Sequence, residues 1–443
     1  MPLDIAPFQA RRSRLLATMQ AAGGGVAIIP TAPERVRNRD THHSYRFDSY
    51  FYYLTGFREP EAVLVLVAGD APRSLLFCRS KDIEREIWDG YRHGPDAARE
   101  TFGFDEAHPI AELDAKLAEL LLNQPTIFYS MGYEPDWDRR LTDALNRVRA
   151  QARSGHQAPA QIRDVRSLID EMRLVKDDSE IATMRRAAAI TAGAHRRAML
   201  TARHGAWEHE LEAELLHEFR RHGSQSPAYG SIVASGPNAC VLHYVENDRQ
   251  MQHGELILID AGCELDGYAS DITRSFPVNG RFSGPQKAVY ELVLAAQAAA
   301  IDKVRPGLDW NAAHDAATRV LAQGFLDLGL LQGSLDGVLE AGSYRQFYMH
   351  RTGHWLGLDV HDAGSYQTGG QWRLLAPGNV LTVEPGAYIR PAEGVPEAFW
   401  NIGVRIEDNV LVTPEGNDII TIATPKTIAE IEALMREAPH AKA

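Results

Sequence analysis

Two aspartates in one predicted hairpin could bind a cation together. The apolar run Leu256–Ile259 predicts a strand that ends on Asp260, and Asp266–Gly267 is typical of a two-residue hairpin turn. If the chain reverses there, Asp260 lies opposite Thr273, and Asp271 lies on the diagonal of the same face, about 7–8 Å away at the backbone. An aspartate that closes an apolar strand is costly to bury unless it is paired or binds a metal. The pair therefore indicates a cation site as readily as it indicates two surface residues.

Three later segments supply further candidate ligands. Two glycines flank His354 in a segment that continues to His361, and Glu384 follows an apolar strand and precedes a Pro-Gly turn. Arg405 and Glu407 are predicted to lie on the same face of another strand. Four carboxylates and one imidazole form an oxygen-rich ligand set for paired divalent ions, which suits Mn²⁺ or Co²⁺ better than a structural Zn²⁺.

The elements that must position these residues form two regions. In the first, short apolar strands alternate with helical patterns, which predicts a small α/β domain over residues 1–176. In the second, two helices followed by strands occur twice in succession, which predicts an internally duplicated α+β domain over residues 177–443. We place the boundary near Lys176 because the acidic residues that follow are typical of a helix start.

Four short patterns connect the second region with a known family. IDAG followed by DITR, GHWLG followed by HD, TVEPG and RIED contain all five candidate ligands and resemble the pita-bread metallopeptidases. In the first region, Arg37–Asp40 and Phe51–Phe57 resemble the N-terminal domain of the aminopeptidase P group of that family. The resemblance covers nearly the whole chain. It implies a pita-bread (creatinase/aminopeptidase) catalytic domain of the α+β class, preceded by a smaller α/β N-terminal domain.

The resemblance implies a dinuclear metal site with five protein ligands. Carried over to this sequence, the ligands are Asp260, Asp271, His354, Glu384 and Glu407. They would hold two divalent metal ions, for which Mn²⁺ is the expected metal and Co²⁺ or Zn²⁺ are alternatives. Two such ions lower the pKa of a bridging water, so that hydroxide is available near neutral pH to attack a peptide carbonyl.

The resemblance also implies a reaction, which is hydrolysis of the bond between an N-terminal residue and a penultimate proline. Glu384 would act as general base and then acid, His361 would donate to the developing oxyanion, and His243 would help to position the scissile bond or its leaving nitrogen. Proline in the second position gives an amide without an N–H, so the pocket must accept a ring. The candidate substrate-binding residues are His350, Arg405, Tyr388 and Trp88.

Other readings of the same patterns require different features. A prolidase, which splits dipeptides that end in proline, resembles this chain in ligands and domain plan, but Arg37–Phe57 favours aminopeptidase P. A methionine aminopeptidase would leave the first region unexplained, and a creatinase-type hydrolase does not need the metals. A non-catalytic binding protein on the same fold would be expected to have lost ligands or His361, and all of these are present.

Composition limits the partners and the compartment. The formal net charge of −13 over 443 residues argues against a nucleic-acid partner, because nothing offsets phosphate repulsion. No apolar run approaches the roughly 18–20 residues that cross a bilayer, so no membrane partner is expected. Three cysteines without CxxC spacing are typical of free thiols in a reducing compartment, so a cytoplasmic location is expected. By resemblance, we expect a homodimer or homotetramer.

Overall fold

The structure is a computed structural model that describes residues 4–438. The chain divides into two compact units, Met1–Arg173 and Leu174–Ala443. None of the helices in the described part of the chain combines the length and the apolar character that crossing a bilayer requires.

The first unit is built around a six-stranded mixed sheet with strand order β6-β5-β4-β1-β7-β8. Its strands, including the separate ribbon of β2 and β3, are β1 (Gly25–Pro30), β2 (Val36–Asn38), β3 (Thr41–His42), β4 (Val63–Ala68), β5 (Arg73–Cys78), β6 (Glu106–Pro109), β7 (Thr126–Phe128) and β8 (Gln161–Arg163). Its helices are α1 (Ala6–Ala21), α2 (Ser49–Thr55), α3 (Ile83–Asp89), α4 (Gly94–Phe102), α5 (Leu113–Leu121), α6 (Pro135–Arg149) and α7 (Arg166–Leu174), which ends at the unit boundary. Every residue of β4 is buried, so both faces of the sheet are covered.

The second unit contains two helix pairs, each followed by strands, as the sequence predicts. The first half consists of α8 (Asp178–Thr201), α9 (Glu208–Arg221), β9 (Ser226–Pro227), β10 (Ile232–Ser235), β11 (Leu256–Asp260), β12 (Cys263–Leu265), β13 (Tyr268–Ala269) and β14 (Thr273–Pro277). The second half consists of α10 (Gly284–Asp302), α11 (Asn311–Asp327), α12 (Leu335–Ala341), β15 (Gln367–Thr368), β16 (Gln371–Trp372), β17 (Val380–Val383), β18 (Gly386–Ile389), β19 (Ile402–Arg405), β20 (Asp408–Thr413), β21 (Gly416–Ile419) and α13 (Ile428–Met435). One large apolar core joins the helices to the strands of both halves.

The predicted hairpin is confirmed. Strands β12 and β13 pair around Asp266 and Gly267, whose φ angles of 52° and 85° are those of a type I′ turn. Beyond them, β11 and β14 pair so that Asp260 lies opposite Thr273. The ladder breaks near Gly262, where a Cβ atom would lie only 1.6 Å from the carbonyl oxygen of Ser270. Glycine is therefore required at position 262, where the backbone closely approaches that of Ser270.

The prediction that Arg405 and Glu407 lie in one strand is wrong. We expected Arg405 and Glu407 on the face of one strand, but β19 ends at Arg405 and β20 begins at Asp408. The reason is that the chain changes sheets here, because β19 pairs with β18 whereas β20 pairs with β17 and β21. The amide of Glu407 donates to the carbonyl of Thr273, which fixes this link against β14.

A buried ion pair joins the start of the second unit to its second half. The ammonium of Lys176 lies 2.8 Å from a carboxylate oxygen of Asp362, and both side chains are almost fully buried. Because each charge loses its water, the position of each group depends on its partner. The pair holds the chain just before α8 against the segment that carries His361.

Candidate metal centre

The five predicted ligands converge on one cavity of about 880 Å³ in the second unit. They come from five separate segments: Asp260 from the end of β11, Asp271 from the link between β13 and β14, His354 from the glycine-rich bend before β15, Glu384 from the link between β17 and β18, and Glu407 from the link between β19 and β20. Each ligand stands at a strand end or in a link, where the backbone can turn its side chain toward a common point.

The ligand atoms are close enough to share a cation. One ligand atom each from Asp271, His354 and Glu407 lies within 4.8 Å of the other two. His354 Nε2 lies 3.4 Å from Asp271 Oδ2 and 3.6 Å from Glu384 Oε1. Asp260 joins the group through Tyr229, whose hydroxyl lies 2.5 Å from Asp260 Oδ1 and also hydrogen-bonds to Asp271.

The imidazole of His354 is oriented for metal binding. Its Nδ1–H donates to the carbonyl oxygen of Trp355 at 2.9 Å, so Nε2 faces the carboxylates. Burial would lower the pKa of His354, but Asp271 and Glu384 raise it to about 9. A cation bound here therefore displaces a proton from Nε2.

The negative charge of the four carboxylates exceeds the positive charge of the protein side chains around them. Burial raises the pKa of Glu384 to about 7, and burial together with the neighbouring carboxylates raises the pKa values of Asp271 and Glu407. Burial would also raise the pKa of Asp260, but the charge of Arg405 and the hydrogen bonds that Asp260 accepts lower it. Four carboxylates around one imidazole, two of them buried (Asp271 and Glu407) and two half-buried (Asp260 and Glu384), fit bound divalent cations, because the cations would supply the missing positive charge.

Three neutral side chains that the sequence interpretation did not select hold the ligands in place. The hydroxyl of Thr273 donates to Glu407 Oε2 at 2.7 Å. Thr382 accepts a hydrogen bond from the amide of His354 at 3.0 Å. Asn409 accepts from the amide of Asp271 at 3.0 Å and donates to its carbonyl oxygen at 2.5 Å. Each of the three lies within or directly after a ligand motif, which is the signal that could have identified it.

Arg405, Tyr388 and His350 form a hydrogen-bonded chain on one side of the ligands. Arg405 donates to Asp260 Oδ2 at 2.7 Å and to the hydroxyl of Tyr388 at 2.8 Å. The hydroxyl of Tyr388 then donates to His350 Nε2 at 2.8 Å, and His350 Nδ1 donates to the carbonyl of Arg351. Burial, with the charge of Arg405, lowers the pKa of His350 to about 3, so its imidazole is neutral.

The other predicted site residues occupy different places. His243 and His361 both line the cavity, and the ring of His361 lies 4.2 Å from that of His354. Tyr388 is buried and borders a smaller neighbouring cavity. Trp88 lies on α3 of the first unit with 85% of its surface exposed, and its contact with substrate stays a prediction.

Fold and site together define a metallopeptidase, and the chain belongs to metallopeptidase family M24, which residues 182–414 match. Residues 8–129 match the N-terminal domain of aminopeptidase P. The predicted resemblance to aminopeptidase P and the predicted fold class are thereby confirmed.

Several similar proteins are aminopeptidases. The chain is 45% identical over 430 residues to the Xaa-Pro aminopeptidase of Escherichia coli K12, with 97% of each protein covered. It is also 45% identical to the Xaa-Pro aminopeptidase of Haemophilus influenzae, over 97% of this chain and 96% of that protein. Among solved structures, Pseudomonas aeruginosa aminopeptidase PepP matches with a TM-score of 0.97 and 51% identity over 99% of this chain and 100% of that one.

Proposed function

We propose that this protein is an Xaa-Pro aminopeptidase, which hydrolyses the bond between an N-terminal residue and a penultimate proline. The observation that carries the proposal is that all five predicted ligands line one cavity in a chain that is 45% identical to two Xaa-Pro aminopeptidases over nearly its whole length. The prolidase alternative is less favoured, because the relatives described above are aminopeptidases.

We propose that the five ligands bind two divalent metal ions and that Mn²⁺ is the working metal. When bound, the ions polarise the scissile carbonyl and make a water acidic enough to yield a nucleophile near neutral pH. A related E. coli aminopeptidase P structure is described as zinc-substituted, so Zn²⁺ remains an alternative together with Co²⁺.

Glu384 is the proposed proton carrier. Its carboxylate is half-buried, with Oε1 beside His354 and Oε2 3.8 Å from His350 Nδ1. From this position it would accept a proton from the attacking water and return it to the leaving prolyl nitrogen. His361 would donate to the carbonyl oxygen as its negative charge develops, and His243, which also lines the cavity, would position the scissile bond.

The specificity for proline follows from the lack of an amide proton at the scissile bond. A prolyl nitrogen cannot donate a hydrogen bond, so its ring must be held by shape and apolar contact. His350 and Arg405 line the cavity and are fixed by their hydrogen bonds to Tyr388 behind them, so the two side chains can form a rigid wall for the ring. Four aliphatic residues also line the cavity: Ile232, Leu242, Val245 and Val360.

The test compares a dipeptide with a tripeptide on the metal-loaded enzyme. Metal-depleted protein is reloaded with Mn²⁺ and incubated with Gly-Pro or with Arg-Pro-Pro, and release of the first residue is measured. Cleavage of Arg-Pro-Pro that depends on Mn²⁺ supports the proposal, whereas cleavage of Gly-Pro alone indicates a prolidase. If metal is bound and neither peptide is cleaved, the result favours a non-catalytic binding protein on the same fold.

We also propose a cytoplasmic, homo-oligomeric enzyme with an N-terminal domain over residues 1–176 and a catalytic domain over 177–443. The three cysteines are free and buried, as suits a reducing compartment.

Ile83, Ile87 and Trp88 on α3 are each at least 75% exposed, and such an apolar face favours contact with a second subunit, as in a homodimer or homotetramer. Light scattering of the purified protein tests the oligomeric state.

A further inference from the structure

Arg351 is a charged residue of the cavity wall to which the proposed reaction assigns no role. It follows His350 in the glycine-rich bend, its side chain is exposed, and it lines the same cavity as the five ligands. A cation in this place faces the space that a bound peptide must occupy.

The contacts of Arg351 hold its guanidinium without neutralising it. Its Nη2 donates to Asn311 Oδ1, and its Cζ lies 5.1 Å from the centre of the Trp372 ring. Asn311 in turn donates to Asp315 at 2.8 Å, so the amide separates that carboxylate from the guanidinium. Across residues 4–438, Arg351 makes no ion pair.

The charge balance of the cavity distinguishes Arg351 from the other guanidinium on its wall. Arg405 is buried and committed to Asp260. The four carboxylates belong to the metal ligands, and bound divalent ions would satisfy them. Of these two guanidiniums, Arg351 is the one that offers free N–H groups to an incoming anion, because arginine has five donors and Asn311 engages a single nitrogen.

We infer that Arg351, held by Asn311 and Trp372, is a subsite for a carboxylate of the peptide substrate, an inference that rests on the proposed function. The planar guanidinium can bind a carboxylate with two parallel hydrogen bonds, while stacking on Trp372 limits its rotation. Two parts of a substrate carry this chemistry: the C-terminal carboxylate of a short peptide and an acidic side chain on the first residue.

The experiment measures kcat and KM of the Mn²⁺-loaded enzyme with three peptides. Ala-Pro-Ala as the free acid carries a C-terminal carboxylate, Ala-Pro-Ala amide carries none, and Glu-Pro-Ala amide carries one on its first side chain. The variant Arg351→Gln keeps a polar side chain and removes the charge. Arg345→Gln is the matched control, because Arg345 is also exposed but contacts the ring of Tyr344 rather than Trp372.

We expect the wild-type enzyme to prefer one of the carboxylate-bearing peptides over Ala-Pro-Ala amide by about tenfold in kcat/KM, as one charge-assisted contact would give. Arg351→Gln should abolish that preference, mainly through KM, while cleavage of the amide changes less than about threefold. The peptide that loses its advantage identifies the source of the carboxylate.

Two results would overturn the subsite. One is a wild-type enzyme that cleaves all three peptides with equal kcat/KM, and the other is an Arg351→Gln variant that loses activity equally on all three, which indicates a structural role. Failure of the wild-type enzyme to release the first residue from any peptide would instead refute the proposed function, and the subsite with it.

Discussion

Replacing Thr273 with valine should weaken metal binding without disturbing the fold. Thr273 is fully buried, and its hydroxyl donates to Glu407 Oε2 at 2.7 Å while it accepts from Arg405 Nε at 3.1 Å. Valine has nearly the same shape and an equal preference for strands, so the change is limited to the hydroxyl. Arg405 keeps its bonds to Asp260 and Tyr388, so Glu407 is the proposed ligand that loses a hydrogen bond.

The expected size of the effect follows from that one bond. A hydrogen bond to a charged group contributes about 1.5–3 kcal/mol. At about 1.4 kcal/mol per factor of ten, this amounts to roughly a 10- to 100-fold weaker affinity for Mn²⁺. Losses of this order are typical when a group that orients a metal ligand is removed.

Calorimetric titration of metal-depleted protein with Mn²⁺ measures this change directly. Thr273→Ser is the control, because it retains the hydroxyl and should bind Mn²⁺ nearly as the wild-type protein does. Activity of the valine variant should return when Mn²⁺ is in large excess. A folded valine variant that binds Mn²⁺ as tightly as the wild-type protein would refute the role assigned to this hydroxyl.

Three further substitutions and one titration test other parts of the structure. Glu384→Gln should lower kcat for Arg-Pro-Pro by ~100-fold or more, as loss of a general base does, and an unchanged kcat would exclude Glu384 as the base. Lys176→Met should lower the free energy of unfolding by about 3–5 kcal/mol, because it removes the ammonium that balances the buried charge of Asp362; urea denaturation measures the loss. Gly353→Ala places a methyl group 2.0 Å from the carbonyl oxygen of Thr382, so metal analysis should find less bound Mn²⁺ than in the wild-type protein. Adding Mn²⁺ at 100 times its dissociation constant to metal-depleted protein should raise the free energy of unfolding by about 2.7 kcal/mol, and an unchanged melting temperature would contradict specific binding.

The sequence predicts the parts of the site that local rules govern. The Asp266–Gly267 turn fixes the register of its hairpin, because only residues that tolerate positive φ form this turn. That register sets Asp260 opposite Thr273, and the alternation of side chains along the strands sets which face carries the carboxylates. The four sequence motifs are also short local patterns, so the sequence alone identifies all five candidate ligands.

Contacts between distant segments could not be predicted in the same way. Tyr229 joins Asp260 to Asp271, but no pattern around it in the sequence marks it as a site residue. Glu407 was expected within a strand because its neighbours alternate like one, whereas pairing with two different sheets ends β19 before it. Such outcomes depend on which strands pair across the whole unit, and strand propensity carries no information about that.

The proposed ligands are spread along the chain from Asp260 to Glu407, and this spacing affects when the metal site can form during synthesis in the cell. A ribosome delivers the N-terminal part first, and contacts between residues far apart in sequence form slowly because long loops must close. Asp260 and Asp271 can meet early within their hairpin, but Glu407 emerges only after both helix pairs of the second unit and the strands up to β19 have been made. A nascent chain therefore lacks the complete set of proposed ligands until Glu407 has emerged, so peptidase activity is delayed until the strands that carry the site have been made.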